Sequence, residues 1–190
     1  NKPENIDLPK YSADEIIAIE NAYNYGAQYI YFRRFKNRPP IPQVYIYDLT
    51  TAEVINNDVL VKLHQRLYSS GHVPMFFVFS KTEVRIFNCY DRPAKNNKLI
   101  YKPLTIIKLA AKISDLFDAT DEKDIEKFKA FSGRSFDNGS FWENSPFSKE
   151  FQFANSAYER LLTELKQALN DIINKNILPS FVARKIMVIS

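Results

Sequence analysis

The chain has almost none of the residues from which disulfides and zinc centres are built. It contains one cysteine, Cys89, and two histidines, His64 and His72, among 190 residues. A lone cysteine excludes an internal disulfide, and two histidines without further cysteines do not make a zinc cluster of the usual spacing. We therefore expect no structural metal, a buried and inert thiol at Cys89, and surface or capping roles for both histidines.

Long apolar runs are also missing. No stretch approaches the length that spans a bilayer, and the first residues lack the charged, apolar and small-residue order of a signal peptide. These absences predict a soluble, cytoplasmic protein with no membrane partner. With 45% hydrophobic and 14% aromatic content, the 190 residues suffice to bury one sizeable core in one compact unit.

Acidic residues are absent between Gly26 and Tyr47, although the whole chain carries 22 of them. Four cations cluster in this acid-free segment near a strand end and a proline-rich loop: Arg33, Arg34, Lys36 and Arg38. Such a patch suits a polyanion, because each neutralised phosphate releases counterions. The alternative is a hairpin tip that is only solvated.

The centre of the chain is predicted to be a sheet. Aromatic and β-branched residues crowd four segments separated by turn formers, which predicts strands at 29–35, 44–47, 75–79 and 84–90. Ser12 with Glu15 forms a capping-box pattern at the start of a helix before the first strand, and a second helix ends at Gly71. Strands that are apolar on both faces predict an α/β (α+β) fold, a mixed sheet of about four or more strands flanked by helices.

The predicted organisation is an α/β core over 1–102 and a helical extension over 103–190. Four helices are expected in the extension: one from Pro103, one from Thr120 to Gly133, the longest from about Lys149 to Asn174, and one from Pro179. The aromatic loop at 135–147 is expected to be pinned to the core by Phe141 and Trp142, with stacking on an unpaired base as the alternative. The last segment is still amphipathic at Ser190, which predicts that the natural chain continues.

One acid lies at the end of an otherwise apolar strand. Alternation places Val44, Ile46 and Asp48 on one face of the second strand and the intervening tyrosines on the other. The order helix, strand, strand ending in an acid, helix, strand hairpin resembles the core of PD-(D/E)XK nucleases, also called restriction-endonuclease-like. In that family two strands carry the acids that hold Mg²⁺, and a lysine helps to activate water.

The nuclease resemblance places the three catalytic positions at Gln28, Asp48 and Thr50. Gln28 has no charge for a hard cation and Thr50 has no ammonium, so the resemblance implies a degenerate site without metal-dependent cleavage. The least favoured interpretation is an active nuclease whose catalytic site has been relocated to Asp48, Glu53, Lys62 or Glu83. Asp48 is otherwise expected to cap the following turn through its carboxylate.

Several longer phrases extend the resemblance over most of the chain. YIYFRRF, IPQVYIYD, FVFSKTEVRIFN and NGSFWE, followed by a long helix, are similar to the region preceding the catalytic domain of bacterial N6-adenine DNA methylases of the type II (type IIG-like) restriction-modification class. The methylase's own signatures, a glycine-rich methyl-donor loop and an Asn-Pro-Pro-Tyr tetrapeptide, are absent from these residues. S-adenosylmethionine is thus implied for a missing C-terminal methylase domain and no cofactor for this fragment.

This second resemblance implies a module that contacts or positions DNA through Arg33, Arg34, Lys36 and Arg38. A rival interpretation makes the chain a scaffold or subunit-contact domain, whose helical C-terminal half docks the methylase domain of the same chain while the basic loop is only solvated. Steep salt dependence of DNA affinity would favour the first interpretation and absence of binding the second.

Overall fold

A five-stranded mixed sheet with helices on both faces organises the protein, as seen in a computed structural model that describes residues 11–52, 55–109, 122–175 and 182. The strands lie in the order β1-β2-β3-β4-β7. Their bounds are β1 Tyr29–Arg33, β2 Ile41–Asp48, β3 Met75–Phe79, β4 Glu83–Asn88 and β7 Thr105–Lys108. Strands β2 and β3 are parallel and the other neighbours antiparallel. The predicted α+β class, with a mixed sheet and helices, is confirmed.

Two helices flank the first strands, and each begins and ends with the residues that local rules favour. Helix α1 (Ala13–Asn24) starts with the predicted capping box, in which Ser12 and Glu15 bond each other's backbone N–H groups. Helix α2 (Asn57–Ser70) connects the parallel strands β2 and β3 and ends at Gly71, whose φ of 64° is left-handed.

The residues after Pro103 differ from the prediction, because Thr105–Lys108 forms strand β7 where a helix was expected. Ile107 pairs with Val84, and Lys108 with Glu83, on the outer side of β4. The physical reason is that the pairing satisfies backbone groups of β4 that would otherwise lie along an open edge. The rest of that predicted helix, 110–117, lies outside the described residues.

The C-terminal region is helical, as predicted, but its boundaries differ. The helices are α3 Glu122–Ala130, α4 Gly133–Asn138, α5 Ser140–Asn144 and α6 Ala157–Asn174. Gly133 therefore begins a helix instead of ending one, the loop predicted at 135–147 contains two short helices, and the longest helix starts eight residues later than Lys149. Within the described ranges, no helix combines the length and apolar character needed to cross a membrane.

A small hairpin of two short strands lies between β4 and β7. Strands β5 (Ala94–Lys95) and β6 (Lys98–Leu99) pair with each other and stay separate from the main sheet. Asn96 and Asn97 at its tip adopt φ values of 50° and 61°. Asparagine tolerates this left-handed backbone better than most residues, so the chain can turn sharply between the two strands.

The core has two layers, one on each face of the sheet. Tyr45 and Tyr47 of β2 face one layer, which α1 and α2 cover, and Val44 faces the other, which the C-terminal helices cover. The alternation predicted for β2 is thus present. The second layer is rich in rings, and its fully or nearly buried members include Phe77, Phe131, Phe136, Phe141 and Phe151.

Candidate functional site

The structure brings Gln28, Asp48 and Thr50 together at the end of strands β1 and β2. The Gln28 Oε1 atom accepts a hydrogen bond of 3.0 Å from the backbone N–H of Asp48. The Asp48 carboxylate instead turns to Thr50, accepting from its backbone N–H at 3.0 Å and from its hydroxyl at 2.6 Å. The three residues are neighbours, but Gln28 contacts the Asp48 backbone and not its carboxylate.

Asp48 acts as the cap of the turn that follows β2. Hydrogen bonds from the Thr50 hydroxyl and backbone N–H lower the pKa of the exposed Asp48 carboxyl. The group is therefore ionised at neutral pH, and among the described residues no second acid contacts it. Nowhere in the described part of the chain do three His, Cys, Asp or Glu side chains form a group able to hold a metal ion.

The remaining acids and bases considered for a relocated site are engaged elsewhere or lie apart. Glu83 is the first residue of β4 and is buried. It pairs with Lys108 Nζ at 2.9 Å and with Arg85 Nε at 2.6 Å, and the Lys108 hydrogen bond is the main reason that its pKa is lowered. Lys62 is exposed on α2, and Glu53 lies outside the described residues.

The basic cluster forms the loop between β1 and β2, and two of its arginines contribute to the fold. Arg34 makes an ion pair of 2.8 Å with Glu15, whose side chain is buried. The backbone N–H of Ser12 and the Arg34 guanidinium together hold the pKa of Glu15 below its usual value. Arg34 thus attaches the loop to the start of α1.

Arg33 packs against the junction of α4 and α5. Its guanidinium carbon lies 2.9 Å from the position that a Cβ atom on Gly139 would occupy. The Arg33 Nε atom is buried and has no hydrogen-bond partner among the described residues. Arg33 is therefore half-buried at a packed junction. Its contacts stabilise the fold, and little of its guanidinium remains for contact with a ligand.

An aromatic ring organises the outer part of the loop. The guanidinium of Arg38 stacks over the Phe35 ring at 3.6 Å from its centroid, and that of Arg33 lies 4.9 Å away. Lys36 and Arg38 are both exposed. No acid occurs between Gly26 and Tyr47, so no residue of the loop itself neutralises these two cations.

The base of the same hairpin is fixed to the C-terminal helices. The Tyr31 hydroxyl donates to the Asp137 carboxylate at 2.9 Å and to the Gly133 carbonyl oxygen at 3.1 Å. Burial, with a smaller contribution from Asp137, raises the pKa of Tyr31. Contacts on both sides of the sheet therefore fix the direction in which the loop projects.

His64 has a different environment from the one that the sequence suggested. Its side chain is buried on α2, where Nε2 lies 2.7 Å from the Asn88 carbonyl oxygen and the ring packs edge-on against Phe76 and Phe87. Because a carbonyl oxygen accepts, Nε2 carries the proton, and burial lowers the pKa of the ring. The surface or capping role predicted for His64 is wrong, whereas His72 is exposed as expected.

The expectations for Cys89 and for the aromatic pair Phe141 and Trp142 hold. Cys89 is buried, and desolvation raises the pKa of its thiol, which disfavours the reactive thiolate. Phe141 is fully buried, and the Trp142 Nε1–H donates to Gln43 Oε1 at 2.8 Å. Both rings anchor the segment after α4, so neither is free to stack on a base.

Comparisons with protein-family models, with curated proteins and with solved structures each give no match. The candidate site is therefore defined by its geometry alone. Its centre is the loop that presents Lys36 and Arg38.

Sequence reasoning missed two residues that shape this loop. Phe35 is the platform for the Arg38 guanidinium, and Glu15 is the partner of Arg34. The spacing Arg-x-Phe-x-x-Arg from Arg33 to Arg38 was a usable signal for the first, because arginine commonly stacks on rings. The second had no signal, because the two residues meet only when the hairpin folds over the helix start.

Proposed function

We propose that the chain is a non-catalytic, DNA-contacting module of a type II restriction-modification DNA methylase. The observation that carries the proposal is the loop between β1 and β2, in which Lys36 and Arg38 are exposed, the neighbouring segment has no acid, and Arg34 and Tyr31 hold the loop in place. Exposed cations on a fixed loop suit phosphate contacts, which position a protein on DNA without reading its sequence.

In the proposed mechanism, Lys36 and Arg38 neutralise neighbouring phosphates and release their counterions. Phe35 pre-orients the Arg38 guanidinium, so less side-chain entropy is lost when it binds. Methyl transfer with S-adenosylmethionine belongs, in this proposal, to a methylase domain outside these residues. The module described here would contribute affinity for DNA and orient the protein on the duplex.

The absence of catalysis in the proposal rests on the end of β2. Divalent-metal hydrolysis needs several oxygen ligands around the ion and a group that activates water. At this position Asp48 caps a turn and Gln28 is neutral. In the nuclease comparison, Thr50 would stand where the family has a lysine, and it carries no ammonium. A single carboxylate that is already hydrogen-bonded twice supplies too few ligands.

DNA binding is tested with the double variant Lys36→Ala, Arg38→Ala. We expect its affinity for a short duplex to fall about tenfold at low salt, and the slope of log K against log salt concentration to fall by about 2, one for each lost phosphate contact. Fluorescence anisotropy with a labelled duplex measures both quantities. Arg33 and Arg34 are left unchanged because their replacement would also disturb the fold.

The matched control is Lys95→Ala, Lys98→Ala, which removes two exposed cations from the separate β5–β6 hairpin. This control should retain the affinity and the salt slope to within a small factor. Equal losses in both double variants would mean that only net charge matters, and no DNA binding by the parent chain would overturn the proposal.

Cleavage is tested separately with supercoiled plasmid. We expect no nicking after incubation of the chain with Mg²⁺ or Mn²⁺, and no difference between the parent and Asp48→Ala, because the Asp48 carboxylate lacks partner ligands. Agarose electrophoresis gives the result. Nicking by the parent that Asp48→Ala abolishes would establish a nuclease and contradict the non-catalytic assignment.

A second candidate function is a scaffold that docks another domain. The specific observation in its favour is helix α6, whose residues Tyr158, Leu161 and Leu165 are exposed. A soluble surface rarely carries a continuous apolar stripe without a partner. The two functions use different surfaces, so one chain can perform both.

A further inference from the structure

Helix α6 carries an apolar stripe that the described residues leave uncovered. Tyr158 is 59% exposed, Leu161 53% and Leu165 42%. Ala168 is also exposed and Ile172 half-buried. These positions follow each other at intervals of three and four, so they lie along one side of the helix. The stripe therefore has the spacing of a helix–helix seam.

The adjacent side of α6 faces the body of the protein. Leu162, Leu169 and Ile173 are half-buried, whereas the stripe residues from Tyr158 to Ala168 are exposed. Helix α6 also contacts α2. At the helix start, the Tyr68 hydroxyl of α2 donates to the Asn155 carbonyl oxygen at 3.4 Å. One side of α6 is thus anchored and the stripe faces outward.

Two acids border the stripe on the side away from the body. Glu164 and Asp171 are seven residues apart, both are exposed, and each directly precedes a stripe residue. From Tyr158 to Ile172 the stripe runs for about 21 Å, and the two acids lie about 10 Å apart along the helix, at 1.5 Å per residue. An apolar stripe with an acidic border is complementary to a partner helix that has an apolar face with a basic border.

We infer that α6 docks an amphipathic helix whose apolar seam is flanked by lysine or arginine. The apolar seam supplies the affinity, and the pairing of Glu164 and Asp171 with the basic flank selects the partner. The inference goes beyond DNA contact by the β1–β2 loop and deepens the second candidate function, because it states the chemistry of the docked element.

A second copy of the chain fits this surface less well. In an antiparallel pairing of two α6 helices, the acidic borders would face each other, and like charges at facing positions are destabilising. In a parallel pairing, the acids would face the leucine side of the other copy and would find no cation. A basic-flanked helix pairs both acids in either case.

The probe is a labelled peptide of about 21 residues, roughly six helical turns, with leucine at the seam positions and lysine at the flanks. The control peptide has glutamate at the flanks. Fluorescence anisotropy with the 190-residue chain should show binding of the lysine peptide at least about tenfold tighter than the glutamate peptide, a difference of ~1.4 kcal/mol. Leu161→Asp should weaken the lysine peptide about tenfold or more.

Charge-swapped variants make the test specific. In Glu164→Lys, Asp171→Lys the preference should invert toward the glutamate peptide, while Asn170→Asp, at an exposed position on the side of the helix opposite the stripe, should change neither affinity. Circular dichroism confirms that each variant is folded. Equal binding of both peptides, binding of neither, or a chain that sediments as a dimer until Leu161→Asp dissociates it would overturn the inference, and none of these outcomes bears on DNA binding by Lys36 and Arg38.

Discussion

Replacing Phe141 with alanine is expected to lower the free energy of unfolding by about 3–5 kcal/mol, the usual cost of removing a buried ring from a core. Phe141 is fully buried, and its ring lies 4.8 Å from that of Phe136, 4.9 Å from that of Trp142 and 5.2 Å from that of Phe131. Phe131 and Phe136 also contact the ring of Phe77 in β3, so the cluster connects the C-terminal helices to the sheet. Urea denaturation followed by circular dichroism measures the loss.

The control for this prediction is Phe153→Ala. Phe153 is 52% exposed, so its removal leaves little cavity and is expected to cost less than about 1 kcal/mol. Similar unfolding free energies for the two variants would mean that the segment around Phe141 does not belong to the core. The same result would reopen a ligand-stacking role for the aromatic residues after α4.

Replacing Gly139 with alanine is expected to destabilise the protein by about 1.5–3.5 kcal/mol, the sum of a backbone and a side-chain contribution. Gly139 has a φ of 82°, which costs an L-residue ~1–2 kcal/mol. The added Cβ would also meet the guanidinium of Arg33. This is the end of a flexible side chain, so it can move, at the cost of a displaced rotamer, ~0.5–1.5 kcal/mol. Thermal or urea denaturation of the purified variant gives the change.

Gly71→Ala separates the two contributions. Gly71 has a φ of 64°, but nothing lies within 4 Å of its added Cβ, so only the backbone cost of ~1–2 kcal/mol is expected. In an Arg33→Ala background, Gly139→Ala should likewise fall to that lower value. If Gly139→Ala costs no more than Gly71→Ala in the parent chain, Arg33 does not pack tightly at this junction.

The Gly139 variant also connects stability with the proposed function. Arg33 lies at the end of β1, next to the loop that presents Lys36 and Arg38. Displacing its guanidinium moves a cation that also lies over the Phe35 ring. A change in DNA affinity in Gly139→Ala without any change in net charge would indicate that loop geometry, beyond charge, contributes to binding.

The central strands and the helix starts could be predicted because their signals are local. Met75–Phe79 is a run of apolar residues between turn formers, and Ser12 with Glu15 satisfies the first turn of α1 within four residues. The caps and the alternation in β2 depend on neighbours in the sequence. The proximity of Gln28 and Asp48 could be predicted for the same reason, because one hairpin connects β1 and β2.

The segment Thr105–Lys108 was predicted wrongly because its sequence suits either state. Short apolar runs do not distinguish a strand from a buried helix segment by periodicity, and Pro103 is compatible with a helix start. The unpaired edge of β4 decided the outcome, and that edge exists only after the sheet has formed. The preference of the segment itself was too weak to decide it.

The amino-acid sequence by itself determined an α+β protein with a mixed sheet, capped helices, and an acid-free basic segment between Gly26 and Tyr47. Only the tertiary structure decided which cations of that segment stay exposed. Arg34 forms an ion pair with Glu15, and Arg33 packs against Gly139. Tyr31 likewise forms a hydrogen bond with Asp137, which is 106 residues away in the chain. Such contacts depend on the packing of distant segments, whereas propensity and charge are properties of the local sequence.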